Sequence, residues 1–162
     1  MMNFSTADLC DRYVEARHLH IAEPIFRAFG GISCFSGPVT TIKTFEDNVL
    51  LESTLAEPGE GRVLVVDGGG SHRCALVGSR LASLAYDNGW AGLIVYGCIR
   101  DTRELAKLPI GICALHAHPL KSHKRGVGDR DVLITVAGVN FRSGNYVYVD
   151  DDGIVVSDDK LV

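Results

Sequence analysis

The 162-residue chain is short of several things, and each shortage removes a class of protein. No stretch approaches the ~20 consecutive apolar residues that a membrane span requires. The opening segment MMNFSTADLCDRYVEARHLH carries Asp8, Asp11 and Glu15 and has no apolar core of the kind a secretory signal needs, so a cytoplasmic protein is expected. Five cysteines (Cys10, Cys34, Cys74, Cys98, Cys113) form an odd set with no CxxC spacing, which argues against both a disulfide frame and a zinc site. Positive charge is not in surplus: the net charge is −4, and a nucleic-acid surface normally needs a basic face. The two basic clusters, Lys121-His123-Lys124-Arg125 and Arg12-Arg17, read as solvated loop or helix surface. Repeats, low-complexity tracts and inter-domain linkers are also missing. With 46% hydrophobic and 22% charged residues, residues 1–162 are expected to form one ordinary globular domain.

What is present is an alternation of helical and strand patterns. STADLCDRYVEA reads as a helix capped by Ser5 or Thr6, with Leu9, Tyr13 and Val14 on one face. SGPVTTIKTF is strand-like, and EDNVLLESTLAE is a helix with Val49, Leu50 and Leu55 inward, stopped at Pro58-Gly59. RVLVVD (62–67) and AGLIVYG (91–97) lack alternation, so both faces of each should be buried. Between them SRLASLAYDNG is amphipathic, with Leu81, Leu84 and Ala85 inward, and the whole of 62–97 reads as a βαβ unit. A short helix at DTRELAKL, a strand at GICALHA and a basic loop follow. The last third is a run of short strands with turns at SGN and DDDG.

The chemistry gathers at the ends of the two apolar strands. DGGGS leaves the first strand where ligands collect in parallel α/β proteins, beside the N-terminus of the next helix near VGSRL. Helix starts offer free amides and a partial positive charge to an anion. The second strand ends at GCIRD, which the crossover brings alongside. Arg100 can clamp a carboxylate, and Asp101 can hold a hard divalent cation through oxygen. The glycines match neither GxGxxG nor GxxxxGK[ST], which excludes the familiar dinucleotide and P-loop modes.

FEDN (45–48), GRVLVVDGGGS (61–71), ALVGSRLA (75–82), GLIVYGCIRD (92–101) and GIVVS (153–157) together resemble the RraA-like family. That family joins regulators of ribonuclease E activity to class II aldolases acting on 4-hydroxy-4-methyl-2-oxoglutarate. The resemblance implies an αββα sandwich around a small β-barrel, assembled as a homotrimer with sites between subunits. It also implies the aldolase signature of an Asp, twenty intervening residues, Arg-Asp, and an acid three positions on. Here Arg100-Asp101 and Glu104 match, but Ser79 stands where the first Asp belongs; by analogy that Asp positions a proton-donating water. The regulators commonly lose the Asp of the Arg-Asp pair, which this chain keeps.

The expectation is therefore a metal-dependent lyase acting on a small 2-oxo acid. Mg²⁺ or Mn²⁺ would sit on Asp101, with Glu104 reached through water. The amides of Gly78, Ser79, Arg80 and Leu81 would hold the substrate carboxylate, and Arg100 would stabilise the charge of a pyruvate enolate. Oxaloacetate decarboxylation passes through the same enolate and is less exposed to the loss of the Asp at position 79. The alternative from another class is a non-catalytic inhibitor that binds ribonuclease E or an RNA helicase, with no direct contact to nucleic acid. Other residues read as structural: His72, His116 and His118 as surface or loop histidines, Cys74 and Cys98 as packing, Trp90 and Tyr96 as core or interface, Asp67 as a partner of loop amides, and Asp150-Asp151-Asp152-Gly153 as a hairpin turn.

Overall fold

A computed structural model describes residues 3–16 and 19–162; Arg17, half of one of the two basic clusters, lies outside them. Helix α1 (Thr6–Tyr13) runs into a 3₁₀ turn (Val14–Ala16), followed by β1 (Leu19–Ile21), β2 (Arg27–Ala28), β3 (Phe35–Lys43) and α2 (Val49–Leu55). Next come β4 (Val63–Asp67), β5 (Ala75–Val77), α3 (Ser79–Asp87), β6 (Gly92–Ile99), α4 (Thr102–Leu105) and β7 (Gly111–Ala117). The chain ends in β8 (Asp129–Arg130), β9 (Ile134–Val136), β10 (Val139–Phe141), β11 (Tyr146–Asp150) and β12 (Gly153–Ser157).

Strands β3, β4, β6 and β7 lie side by side and parallel, with β2 antiparallel at the β7 edge. The first half of β3, Phe35–Pro38, pairs instead with β11, which continues through β12 to β1 in antiparallel order. One strand therefore belongs to both sheets.

Three separate cores account for the apolar runs. Leu64 and Val66 of β4, Leu93 and Val95 of β6 and Ile112 and Ala114 of β7 meet α2, α3 and α4 through Leu51, Leu55, Leu81, Ala85 and Leu105. The alternate residues Val63, Val65, Ile94 and Cys113 face the other way, against Val136, Phe141, Val147, Val149 and Val156. Strands buried on both faces cannot alternate in polarity. Outside the antiparallel sheet, Leu9 of α1 packs with Leu19, Tyr148 and Val155. The layers thus run helices, parallel sheet, antiparallel sheet, helix, the αββα order the resemblance implies.

Phe35 shows how tightly the second core is fitted. A Cβ on Gly92 or Gly111 would stand 2.4 or 2.0 Å from its ring, so two neighbouring strands give up side chains to make its slot. Burying a ring of this size contributes about 1.5–3 kcal/mol.

Local expectations needed three adjustments. Val14 is exposed, and the inner face of α1 is carried by Thr6, Leu9, Cys10 and Tyr13. In α2 Leu51, Thr54 and Leu55 are buried, while Val49 and Leu50, both expected inward, are half-buried, Leu50 against the edge of the first core. In α3 Ala82 joins Leu81 and Ala85 in full burial while Leu84 is half-buried. The chain after the Gly-rich turn also forms β5, a three-residue strand parallel to β6; its ALV is too short to carry a period.

Candidate active site

Parallel β4 and β6 deliver DGGGS and Arg100-Asp101 to the same sheet edge, and β5 lies on β6 between them. The Arg100 amide donates to the Val77 carbonyl (2.9 Å), which fixes the strand end against the residue preceding Gly78. Asp101 then takes a left-handed backbone conformation, φ 62° and ψ 42°, before α4 begins. Such a conformation costs a non-glycine residue about 1–3 kcal/mol and collects at functional sites, although aspartate tolerates it better than most. The turn aims the Asp101 carboxylate back at the start of α3. Its Oδ2 accepts from the Ser79 amide (2.8 Å) and the Ser79 hydroxyl (3.0 Å). Gly78 is glycine for this reason: a Cβ there would lie 2.7 Å from Asp101 Oδ2 and 3.3 Å from Arg100 Cγ. Ser79's amide, then its hydroxyl, with help from Arg100, hold the Asp101 carboxyl below the usual aspartate range.

Gly78, Ser79, Arg80, Leu81, Arg100 and Asp101 all line one cavity of about 310 Å³. Their convergence follows from the crossover connection. The first intrahelical bond of α3 runs from Ala82 to Gly78, so the amides of Ser79, Arg80 and Leu81 have no partner within the helix. The Ser79 amide is already given to Asp101. Arg80 reaches across to Glu52 of α2, with Nη1 and Nη2 at 2.5 and 3.2 Å from its two oxygens. Arg100 is half-buried and makes one long hydrogen bond, Nη1 to the Pro119 carbonyl at 3.4 Å. Glu104 is exposed on α4, lies outside the cavity lining, and pairs with Lys107 at 3.5 Å.

Among the described residues no cluster of three or more His, Cys, Asp or Glu side chains forms a cage for a metal ion. The donor chemistry still fits Mg²⁺, which is commonly held by one or two carboxylates with water and ligand oxygens completing six positions. Among the described residues both hydrogen bonds to the Asp101 carboxylate fall on Oδ2, and Oδ1 has none.

A second group of cavity residues comes from a part of the chain read from sequence as a plain basic loop. Lys121, Ser122 and Lys124 line the same cavity, together with Asn48. The segment is brought there by the corner between β3 and α2. Asp47, 2% exposed, accepts from the amides of Val49 (3.0 Å) and Arg125 (2.6 Å). Burial alone would push its carboxyl upward, but the backbone amides of Val49 and Arg125, aided by Val127 and Gly126, outweigh it and hold the group below its ordinary value. Asn48 donates to the Leu76 carbonyl (3.1 Å) and accepts from Lys124 Nζ (3.1 Å). Glu46, at φ 55°, grips Arg73 through both oxygens (2.6 and 2.7 Å) and Ser71 (2.6 Å), and its carbonyl accepts from the His123 amide (2.9 Å). FEDN thus ties the Gly-rich loop, β5 and the basic loop together. The available signal was two adjacent acids and an Asn at a strand-to-helix corner, where side chains serve as backbone partners.

The residues read as structural behave accordingly. Asp67 accepts from the Gly69 amide (2.9 Å). Asp150 and Gly153 close the β11–β12 hairpin. Trp90 is buried with Arg62 stacked 4.5 Å over its ring. Burial raises the Cys74 and Cys98 thiols and takes Cys113 to about 12, so none is an activated nucleophile. The His116 ring lies 5.0 Å from that of His72.

The sequence pattern described as "RraA-like: Aldolase/RraA" matches residues 6–156. A Methylococcus capsulatus protein named "Putative 4-hydroxy-4-methyl-2-oxoglutarate aldolase" is 62% identical over 161 residues, spanning 99% of this chain and 100% of its own length. Among solved structures, the RNA-processing inhibitor RraA from Thermus thermophilis superposes with a TM-score of 0.94 at 44% identity, covering 99% of this chain and 96% of that one. A Geobacillus kaustophilus structure named S-adenosylmethionine: 2-dimethylmenaquinone methyltransferase also gives 0.94, at 47% identity over 98% of this chain and 97% of its own.

Proposed function

The chain belongs to the RraA-like family, and from that premise we propose that it is a lyase that cleaves a C–C bond of 2-oxo acids to leave the enolate of pyruvate. The aldolase name of the 62% identical relative supports this reading. The observation that carries it is the convergence of Arg100, Asp101 and the amides at the start of α3 on one cavity.

The substrate carboxylate sits at the free amides of Arg80 and Leu81, where the α3 dipole favours negative charge. Arg100 lies beside the keto oxygen and stabilises the charge that develops there. A divalent cation on Asp101, Mg²⁺ or Mn²⁺, supplies Lewis acidity toward that oxygen when bound. In 4-hydroxy-4-methyl-2-oxoglutarate the C4 hydroxyl loses its proton to solvent and the C3–C4 bond breaks. Its electron pair moves into the enolate, one pyruvate leaves, and protonation at C3 releases the second. In oxaloacetate the same bond breaks with loss of CO₂, and no alcohol has to be deprotonated. Ser79 donates its hydroxyl to Asp101 and cannot act as an acid–base carboxylate, so decarboxylation is the stronger activity and aldol cleavage the weaker. By family resemblance the working form is a homotrimer with its sites between subunits.

Purified protein is assayed for pyruvate release from each substrate with Mg²⁺ and with EDTA. Metal-dependent release, faster from oxaloacetate, is expected; no release from either, or release indifferent to EDTA, overturns the reading. A second reading, an inhibitor that binds ribonuclease E or an RNA helicase, is favoured by the 44% identical structure named as an RNA-processing inhibitor. Asp101→Ala separates the two, because it removes turnover and leaves such binding intact.

A further inference from the structure

We propose that His72 and His116 form a two-imidazole clamp for a borderline divalent cation such as Zn²⁺, separate from the oxygen donors at Asp101. From sequence the two read as unrelated surface and loop side chains. The fold brings their rings to a centroid separation of 5.0 Å, tilted by 53°. A zinc ion stands about 2.0–2.1 Å from an imidazole nitrogen, and hence about 3.2 Å from the ring centroid. Two rings sharing one ion therefore lie about 5.2 Å apart at the tetrahedral angle and about 4.5 Å apart at a right angle. The observed spacing falls between these values, nearer the tetrahedral one.

Both backbones are anchored, so the rings meet without further ordering of the chain. Ser71 and Arg73, on either side of His72, are bound by one carboxylate, Glu46, with the Ser71 hydroxyl and Arg73 Nε each at 2.6 Å. The same pairing offsets the Arg73 charge next to the clamp. On the other side, His116 pairs with Cys98 across β6 and β7, and its amide donates to the Cys98 thiol. The His118 amide donates to the Ile99 carbonyl (2.9 Å) just beyond. Among the described residues neither the His72 nor the His116 ring makes a hydrogen bond, so each neutral imidazole keeps a lone pair for a metal. Both residues are exposed, which gives the ion a path in. No third His, Cys, Asp or Glu joins them among the described residues, and water fills the remaining positions. Imidazole suits Zn²⁺, whereas Mg²⁺ takes oxygen donors.

The test is a calorimetric titration of the full chain with Zn²⁺ in excess Mg²⁺, which competes for carboxylates such as Asp101. One equivalent per chain is expected. His72→Ala and His116→Ala should each weaken binding about tenfold or more, and the double variant should lose no more than about twofold beyond either single change. His118→Ala should leave binding unchanged, because His118 Nδ1 already accepts from the Leu120 amide (3.1 Å). Thermal midpoints without zinc should match wild type in all three single variants. With zinc the midpoint should rise in wild type and in His118→Ala, and stay put in the other two. No binding, binding that survives either substitution, or losses that add in the double variant overturns the clamp and leaves the ring contact as packing. None of these readouts depends on turnover, so the result stands apart from the lyase reading.

Discussion

Two aspartates far apart in the molecule do the same thing with opposite completeness. Asp150, at the end of β11, accepts from the amide and hydroxyl of Thr6, the first residue of α1, at 2.7 and 2.6 Å. Asp101, after β6, accepts from the amide and hydroxyl of Ser79, the first residue of α3, at 2.8 and 3.0 Å. In each case a distant carboxylate caps a helix that begins with a hydroxyl residue. At Asp150 both oxygens are engaged, Oδ2 by the Thr6 amide and Oδ1 by the Thr6 hydroxyl and the Asp152 amide (3.0 Å), the backbone is regular strand, and Thr6 is 3% exposed. At Asp101 both bonds crowd onto Oδ2, the backbone is left-handed, and the side chain is open to solvent. The first cap is finished and stabilises. The second is left with an oxygen to spare, which is what a ligand site needs and a fold does not.

Substitutions at the two caps should break this comparison in different observables. Asp101→Asn has the largest expected effect, a fall in kcat/KM of about 10²-fold or more, with the thermal midpoint nearly unchanged. Asp150→Asn should do the reverse. It loses about 1–2 kcal/mol after allowing for solvent screening, read as a midpoint about 3–6 °C lower, while turnover at 25 °C is retained.

Acid sharpens the same contrast. At Asp150 burial pushes the carboxyl upward, but the Thr6 side chain and amide, with the amides of Asp152 and Gly153, outweigh it and hold it low. The unfolded chain therefore binds protons first. The Asp150 contribution is complete above the ordinary aspartate value of about 3.9 and disappears as pH falls through the lower folded value. Denaturant midpoints measured downward from pH 5 should drop in wild type and drop less steeply in Asp150→Asn.

Ser79→Asp restores the acid of the family signature and sets two carboxylates against each other at the start of α3. It should raise aldol cleavage relative to decarboxylation by about tenfold, on the scale of one well-placed acid–base group. The smallest effect belongs to Ser79→Ala. It removes one of the two bonds to Asp101 and should shift stability by less than about 1 kcal/mol, visible in a urea titration.

The layered fold was legible because its strands are buried on both faces and therefore run apolar without interruption, as RVLVVD and GLIVYG do. The site was legible where it lies next to those strands: Gly78, Ser79, Arg100 and Asp101 sit at strand ends whose alignment the crossover dictates. It was not legible where tertiary contacts assemble it. Nothing in Lys121 or Lys124 distinguishes them from solvated lysines until Asp47 and Asn48, more than 70 residues earlier, bind their loop. Glu104 lies outside the cavity because α4 lasts only four residues and its exposed face carries the side chain toward Lys107. Short elements such as β5 and β8 owe their existence to neighbours, and no local pattern encodes that.

Strand β3 carries a last consequence. Its first four residues belong to one sheet and its last five to the other, and the Phe35 ring is wedged between strands of the second. A protease or a truncation that separated the amino-terminal two thirds from the carboxy-terminal hairpins would strip one flank from a strand both halves rely on. Neither fragment should persist alone, and the molecule should melt in a single step, the edge that carries the candidate site and the sealed sandwich failing together.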